Sequence, residues 1–212
     1  KFIPETIGEQ PLLELKGLGM EGAFEDVSFK LHAGEIIGIT GLLDSGRSEL
    51  ALALFGIRKA DKGDILIKGK KVDIGSPRQA IDSQLGLVPE DRLTEGLFLP
   101  QSIADNVIIA EIDRLANGLS VVDRDKRAQE VDNLVRRFAI ATPDSNNAAQ
   151  TLSGGNQQRV VLAKWLACNL DVLVLNGPTV GVDIGSKHDI HAILQDLACQ
   201  GMGIIIISDD LP

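Results

Sequence analysis

The chain has 212 residues, 44 % of them hydrophobic, with 30 acidic against 21 basic side chains and a formal net charge of −9. A chain of this length buries roughly 70 % of its unfolded surface, enough for one domain with its own core. The acidic balance, without a Lys/Arg cluster, argues against a nucleic-acid partner.

No run approaches the ~18–20 apolar residues that cross a bilayer. Cys168 and Cys199 form no CxxC pair, so neither a zinc site nor a disulfide framework is expected, and a reducing cytoplasm fits. Both cysteines are expected to be small apolar core residues. The chain opens on Lys1 and stops at Leu211-Pro212, just after an apolar run, and reads as an excised piece of a longer protein truncated at its C-terminus.

Residues 1–11 mix Pro, Gly, Glu and Thr and read as a linker, leaving 12–212 as the domain. Leu12-Leu13-Glu14-Leu15 begins a strand. Phe24 to Leu31 alternates apolar and polar, the period of a half-buried strand. Ile36-Ile37-Gly38-Ile39 is expected to be a buried strand. It runs into Gly41-Leu42-Leu43-Asp44-Ser45-Gly46-Arg47-Ser48, and Glu49 to Phe55 follows as a run of helix formers. Strand, glycine-bounded loop and helix in that order make a P-loop arrangement. Glycine lets the backbone approach a ligand, and the helix points N–H groups and partial positive charge at an anion. Ser48 brings a hydroxyl within reach of Mg²⁺. The usual lysine is Arg47 here, still cationic but forked. Alone, the stretch is also compatible with a strand–turn–helix that binds no nucleotide.

Gly56 is expected to cap that helix. Asp64–Ile67 and Lys70–Val72 form a hairpin around Gly69. With the first strands they make an antiparallel lobe, about 12–35 and 57–75. Ser76-Pro77 starts a short helix. Leu85–Val88 is a buried strand running into the polar loop Pro89-Glu90-Asp91-Arg92, at the strand end where open α/β sheets bind ligands. Ser102 to Glu111 reads as a helix. Asp123 to Ile140 is amphipathic, with Val131, Leu134, Val135, Phe138 and Ala139 on one face and its charges solvated. Asn117-Gly118 and Asp144 to Asn147 are loop signals. The stretch of about 95–150 is thus an inserted helical lobe. Gly155–Ala167 is a helix burying Val161, Leu162, Trp165 and Leu166. Apolar strands at Asp171–Leu175 and Gly203–Ile207 flank a helix at Ser186–Ala198. Apolar strands alternating with helices predict an α/β fold, mainly a parallel sheet flanked by helices.

Leu152-Ser153-Gly154-Gly155-Asn156-Gln157-Gln158-Arg159 resembles the signature segment of ATP-binding-cassette (ABC) ATPases, in the form found in bacterial monosaccharide importers. The order of P-loop, Pro89-Glu90-Asp91-Arg92, this signature and Asn176-Gly177-Pro178-Thr179-Val180-Gly181-Val182-Asp183 covers nearly the whole chain. It resembles the second half of the tandem ATPases of ribose, galactose and xylose importers. Read physically, Ser153 and the two glycines precede a helix, so a hydroxyl and backbone amides can face a phosphate. The plainer alternative is that Ser153 caps the helix and the glycines turn the chain.

The resemblance implies an ABC-type P-loop NTPase fold, with ATP and Mg²⁺ as cofactors. It implies that Gly41, Asp44, Ser45, Gly46, Arg47 and Ser48 hold nucleotide. It implies that Ser153, Gly154, Gly155 and Asn156 close over ATP held by a partner cassette, and that Asp183 lies at the cassette interface. The partners it implies are a first cassette on the same chain, membrane permease subunits reached through Glu90 to Asn106, and indirectly a sugar-binding protein. The place implied is the cytoplasmic face of the membrane, peripherally.

The chain departs from the pattern at four points. Asp44 stands where glycine is usual. Asn176 and Gly177 stand where Asp-Glu is usual, removing the carboxylate that supports Mg²⁺ and the one that polarises water. Glu90 replaces the loop glutamine and Asp209 the histidine after the last strand. Hydrolysis at the chain's own site is therefore expected to be deficient. The alternatives are a homodimeric ATPase using Glu90 or Asp209, and an ABC-like interaction domain outside transport.

Overall fold

The computed structural model describes residues 10–42, 44–115 and 122–208. In chain order the strands are β1 (Leu13–Met20), β2 (Phe24–Leu31), β3 (Ile36–Ile39), β4 (Lys62–Ile67), β5 (Lys70–Val72), β6 (Leu85–Val88), β7 (Val172–Asn176) and β8 (Gly203–Ile207). The α-helices are α1 (Arg47–Leu54), α2 (Pro77–Asp82), α3 (Ile103–Ile108), α4 (Ile112–Leu115), α5 (Arg124–Arg137), α6 (Gly154–Leu166) and α7 (Ile184–Cys199).

The chain divides into two compact units. One comprises the described residues up to Leu87, Leu170–Pro178 and those from His191 on; the other is Val88–Asn169 with Thr179–Ile190.

The first unit holds two sheets. The antiparallel one has the order β2-β1-β4-β5. A register shift between Leu15 and Leu18 inserts a residue into β1. The inward set therefore runs Leu13, Leu15, Leu18, Met20 instead of keeping strict alternation. The β4–β5 hairpin turns at Lys68 and Gly69, both at positive φ (48° and 76°), the pattern of a two-residue turn.

The second sheet has the order β3-β8-β7-β6, with β3–β8 and β7–β8 parallel. β6, β7 and β8 are buried along their whole length, as strands covered on both faces must be. β3 differs from expectation. It is the edge of this sheet and its residues are only half-buried, with Gly38 exposed. Four apolar residues read alike in a central and an edge strand. Helix α1 packs on β7 and β8.

In the second unit α3, α5 and α6 pack on one another. α6 is buried nearly all round, from Gly155 through Trp165, so it is an internal helix and not a one-faced one. α5 follows its pattern at Val131, Leu134 and Phe138, but Ala139 leaves the apolar face. It is exposed at φ 47°, where the helix has already ended. The expected helix from Ser102 divides into α3 and a 3-10 turn, Ile109–Glu111.

Side-chain caps fall where the sequence puts them. The Ser76 hydroxyl accepts from the Gln79 amide at 3.3 Å, and the Ser102 hydroxyl from the Asp105 amide at 2.9 Å. Asp123 accepts from the Asp125 and Lys126 amides at 3.1 Å each. Such caps typically contribute about 1 kcal/mol each. The cysteines are not core residues: Cys168 is half-buried and Cys199 exposed, and neither is in a disulfide. Asn117-Gly118 and Asp209 lie outside the described residues. Among the described residues no helix is long and apolar enough to cross a membrane.

Candidate functional site

The loop between β3 and α1 is built around Gly46. It holds φ 81° as the residue before α1, and a side chain there would run into the Ala23 carbonyl. Asp44, exposed, also takes a left-handed backbone, φ 60°. The Ser45 amide donates to the Leu42 carbonyl at 3.1 Å. The Arg47 guanidinium folds back and donates to the Gly41 carbonyl at 2.7 Å, closing the loop on itself. No side chain caps α1, whose N-terminus favours an anion.

β7 ends beside this loop, within the same unit. The buried Asn176 donates from Nδ2 to the Ser48 hydroxyl at 3.2 Å. Gly177 turns the chain at φ 58°, and its N–H donates to the Ile207 carbonyl at 2.8 Å. Of the departing residues outside the loop itself, Asn176 thus meets the P-loop through Ser48. Glu90 is exposed and belongs to the second unit.

The signature segment also belongs to the second unit. Ser153 caps α6, its hydroxyl accepting from Asn156 Nδ2 at 3.0 Å. Asn156 Oδ1 accepts from the Ala141 amide at 2.8 Å. The plainer reading of Ser153 is therefore present. A Cβ on Gly155 would collide with Ser186, the residue Asp183 holds. Asp183 accepts from the Ser186 amide at 3.0 Å and from its hydroxyl at 2.7 Å. Those bonds, the backbone one first, hold its carboxyl below the usual range. Signature and Asp183 are thus neighbours, an adjacency the sequence separation hides. Sequence reasoning missed Ser186 and Asn156 as the residues that fix these loops. An Asp-x-x-Ser spacing ahead of a helix was the available signal.

The loop suits a polyphosphate. It offers a left-handed glycine turn, a guanidinium and a hydroxyl at one helix N-terminus. Its fit to Mg²⁺ is weaker. The partner of the Ser48 hydroxyl on β7 is an amide and not a carboxylate. Among the described residues no group of three or more His, Cys, Asp or Glu could hold a metal alone.

Fold and P-loop together define an ATP-binding-cassette domain. Residues 24–180 match the family model described as ABC transporter, and the chain belongs to that family. It is 37 % identical over 201 residues to the ribose import ATP-binding protein RbsA of Clostridium tetani, covering 95 % of this chain and 40 % of that protein. It is 42 % identical over 208 residues to RbsA of Bacillus subtilis, covering 98 % and 42 %. The chain therefore spans about two-fifths of the length of these relatives. Among solved structures it resembles MJ1267, an ATP-binding cassette in its ADP conformation, with TM-score 0.81 and 21 % identity over 95 % of this chain and 82 % of that one. It also resembles cbiO1 of Clostridium perfringens, with TM-score 0.78 and 24 % identity over 95 % and 80 %. These two likenesses establish the fold.

Proposed function

We propose that the chain is the second of two cassettes in the ATPase of a bacterial sugar importer. Its own site holds ATP without turning it over, and its signature segment completes the site of the first cassette. The observation that carries this reading is the end of β7. Asn176 bonds to Ser48 and Gly177 has no side chain, at the point where the family resemblance implies Asp-Glu. General-base help is typically worth about 10²–10⁴-fold, and Gly177 supplies none.

The relatives named as ribose import proteins support sugar as cargo, and their extra length leaves room for another cassette. Gly41, Asp44, Ser45, Gly46, Arg47 and Ser48 would hold the ATP phosphates, with Ser48 the weak Mg²⁺ contact. Ser153, Gly154, Gly155 and Asn156 would face the partner's nucleotide, and Asp183 the cassette interface. Exposed Leu93 and Phe98 suit contact with permease subunits, through which the domain would be held peripherally at the cytoplasmic face. Asn106 does not suit it. Its amide is buried, bonded to both backbone groups of Phe98 and to the Ser102 carbonyl. The permease and a separate sugar-binding protein would choose the cargo.

In the assembled transporter, Ser153→Arg is expected to abolish ATP-driven sugar uptake, while Arg47→Ala leaves most of it. Equal loss from both would count against a division of labour between the two sites.

A further inference from the structure

In the sequence Pro89 to Arg92 reads as a polar loop at a strand end and as a family landmark, with no role for Arg92 itself. In the structure Arg92 opens a π-helical turn, Arg92–Gly96, capped by Asp91, whose carboxylate accepts from the Leu93 amide at 2.9 Å. The Arg92 guanidinium reaches 88 and 89 residues along the chain. Nη1 donates to the Val180 carbonyl at 2.7 Å and Nη2 to the Gly181 carbonyl at 3.0 Å. A planar fork suits two consecutive carbonyls, and an ammonium cannot reproduce it. The same group leans on the signature. A Cβ on Gly154 would lie 2.8 Å from Arg92 Nη2 and 3.1 Å from the Gly181 oxygen. Gly154 thus leaves the room in which guanidinium and carbonyl meet. The other end of the turn is tied as well, since buried Lys164 on α6 donates to the Gly96 carbonyl at 2.7 Å. All these residues belong to one compact unit.

We propose that Arg92 is a positioning residue for the signature segment. Its fork fixes Val180 and Gly181 against Gly154, so that the Ser153–Asn156 helix start and Asp183 are presented as one preset surface. The turn after β6 moves with that surface. The inference rests on the reading that the signature completes a partner's nucleotide site. The role assigned to Arg92 runs through these two carbonyls.

The test is steady-state ATP hydrolysis by the full-length protein assembled with its permease, alongside thermal melting. The variants are Arg92→Ala, Arg92→Lys, Gly154→Ala, the Arg92→Ala/Gly154→Ala pair and Ser153→Arg. Arg92→Ala is expected to lower kcat roughly 10–100-fold, the scale on which small misplacements of a reacting constellation act. KM for ATP should hold within about twofold, because first capture belongs to the partner's P-loop. Arg92→Lys should recover only part of the rate. Gly154→Ala should act through the same contact, so the pair should be little worse than either single change. An unchanged kcat in Arg92→Ala beside an inactive Ser153→Arg overturns the proposal and leaves the signature reading standing. So does a lower melting temperature with normal kcat per folded molecule, or a fully additive pair. An active Ser153→Arg overturns the signature reading itself, and the proposal with it.

Discussion

Asn176 Nδ2 donates to the Ser48 hydroxyl at 3.2 Å, tying the last residue of β7 to the first turn of α1. An amide there offers a metal no charge. Asn176→Asp is nearly isosteric and restores one. In the wild-type chain Mg²⁺ should change ATP affinity little. In the variant Mg²⁺ should tighten ATP by roughly tenfold, about 1.4 kcal/mol, while metal-free ATP should bind more weakly through like-charge repulsion. Calorimetric titration with and without Mg²⁺ reads both effects, and equal Mg²⁺ responses in the two proteins would sink the assignment.

Much of the fold was legible because its signals are local. The alternation of Phe24–Leu31, the Ser76-Pro77 start and the apolar runs of β7 and β8 each carry their own period or cap. What was not legible depends on partners far along the chain. That β3 is an edge strand depends on which strands flank it. Gly46 was legible as a loop glycine, but the reason no other residue fits is the Ala23 carbonyl, which no side-chain pattern announces. Arg92 was hidden for the same reason, because its acceptors are backbone carbonyls. The signature and the P-loop were found as motifs. Asp183 beside Gly155 required the fold.

Gly46→Ala tests the closeness of that loop, with Gly22→Ala as its control. Both glycines hold left-handed backbones, φ 81° and 73°. Around Gly22 nothing lies within 4 Å of an added Cβ. Gly22→Ala should therefore cost only the backbone strain, about 1–2 kcal/mol. Gly46→Ala adds a collision with the Ala23 carbonyl and should cost clearly more, with loss of ATP binding. Urea midpoints compare them, and equal shifts would mean the loop yields.

Asn156 holds two loops at once, through the Ala141 amide and the Ser153 hydroxyl. Asn156→Asp keeps the acceptor and puts a negative charge at a helix N-terminus, which favours stability. The same charge opposes a phosphate. The variant should melt at or near the wild-type temperature, yet ATP hydrolysis by the assembled transporter should fall by about tenfold, the effect of one like-charge contact of ~1.4 kcal/mol. Unimpaired hydrolysis would remove Asn156 from the phosphate-facing set.

Lys164 is a buried cation in the last turn of α6, bonded to the Gly96 carbonyl and 5.1 Å from the Trp165 ring centre. Burial pulls its pKa from 10.5 down to about 8, with nearby Cys168 opposing that shift. Below the folded value the lysine is charged in both states, and the full penalty of burying the ammonium applies. Between about 8 and 10.5 the unfolded chain binds the proton and the folded chain does not, so stability from this group climbs with pH. At about 1.4 kcal/mol per unit, the climb amounts to roughly 3 kcal/mol. Lys164→Met removes the titration. The wild-type stability minus that of the variant should therefore rise between about pH 7.5 and about pH 9.5, read as the difference in urea midpoints. A difference that stays flat, or falls, would mean that water reaches the ammonium and that α6 is less tightly closed around Gly96 than the 2.7 Å bond indicates.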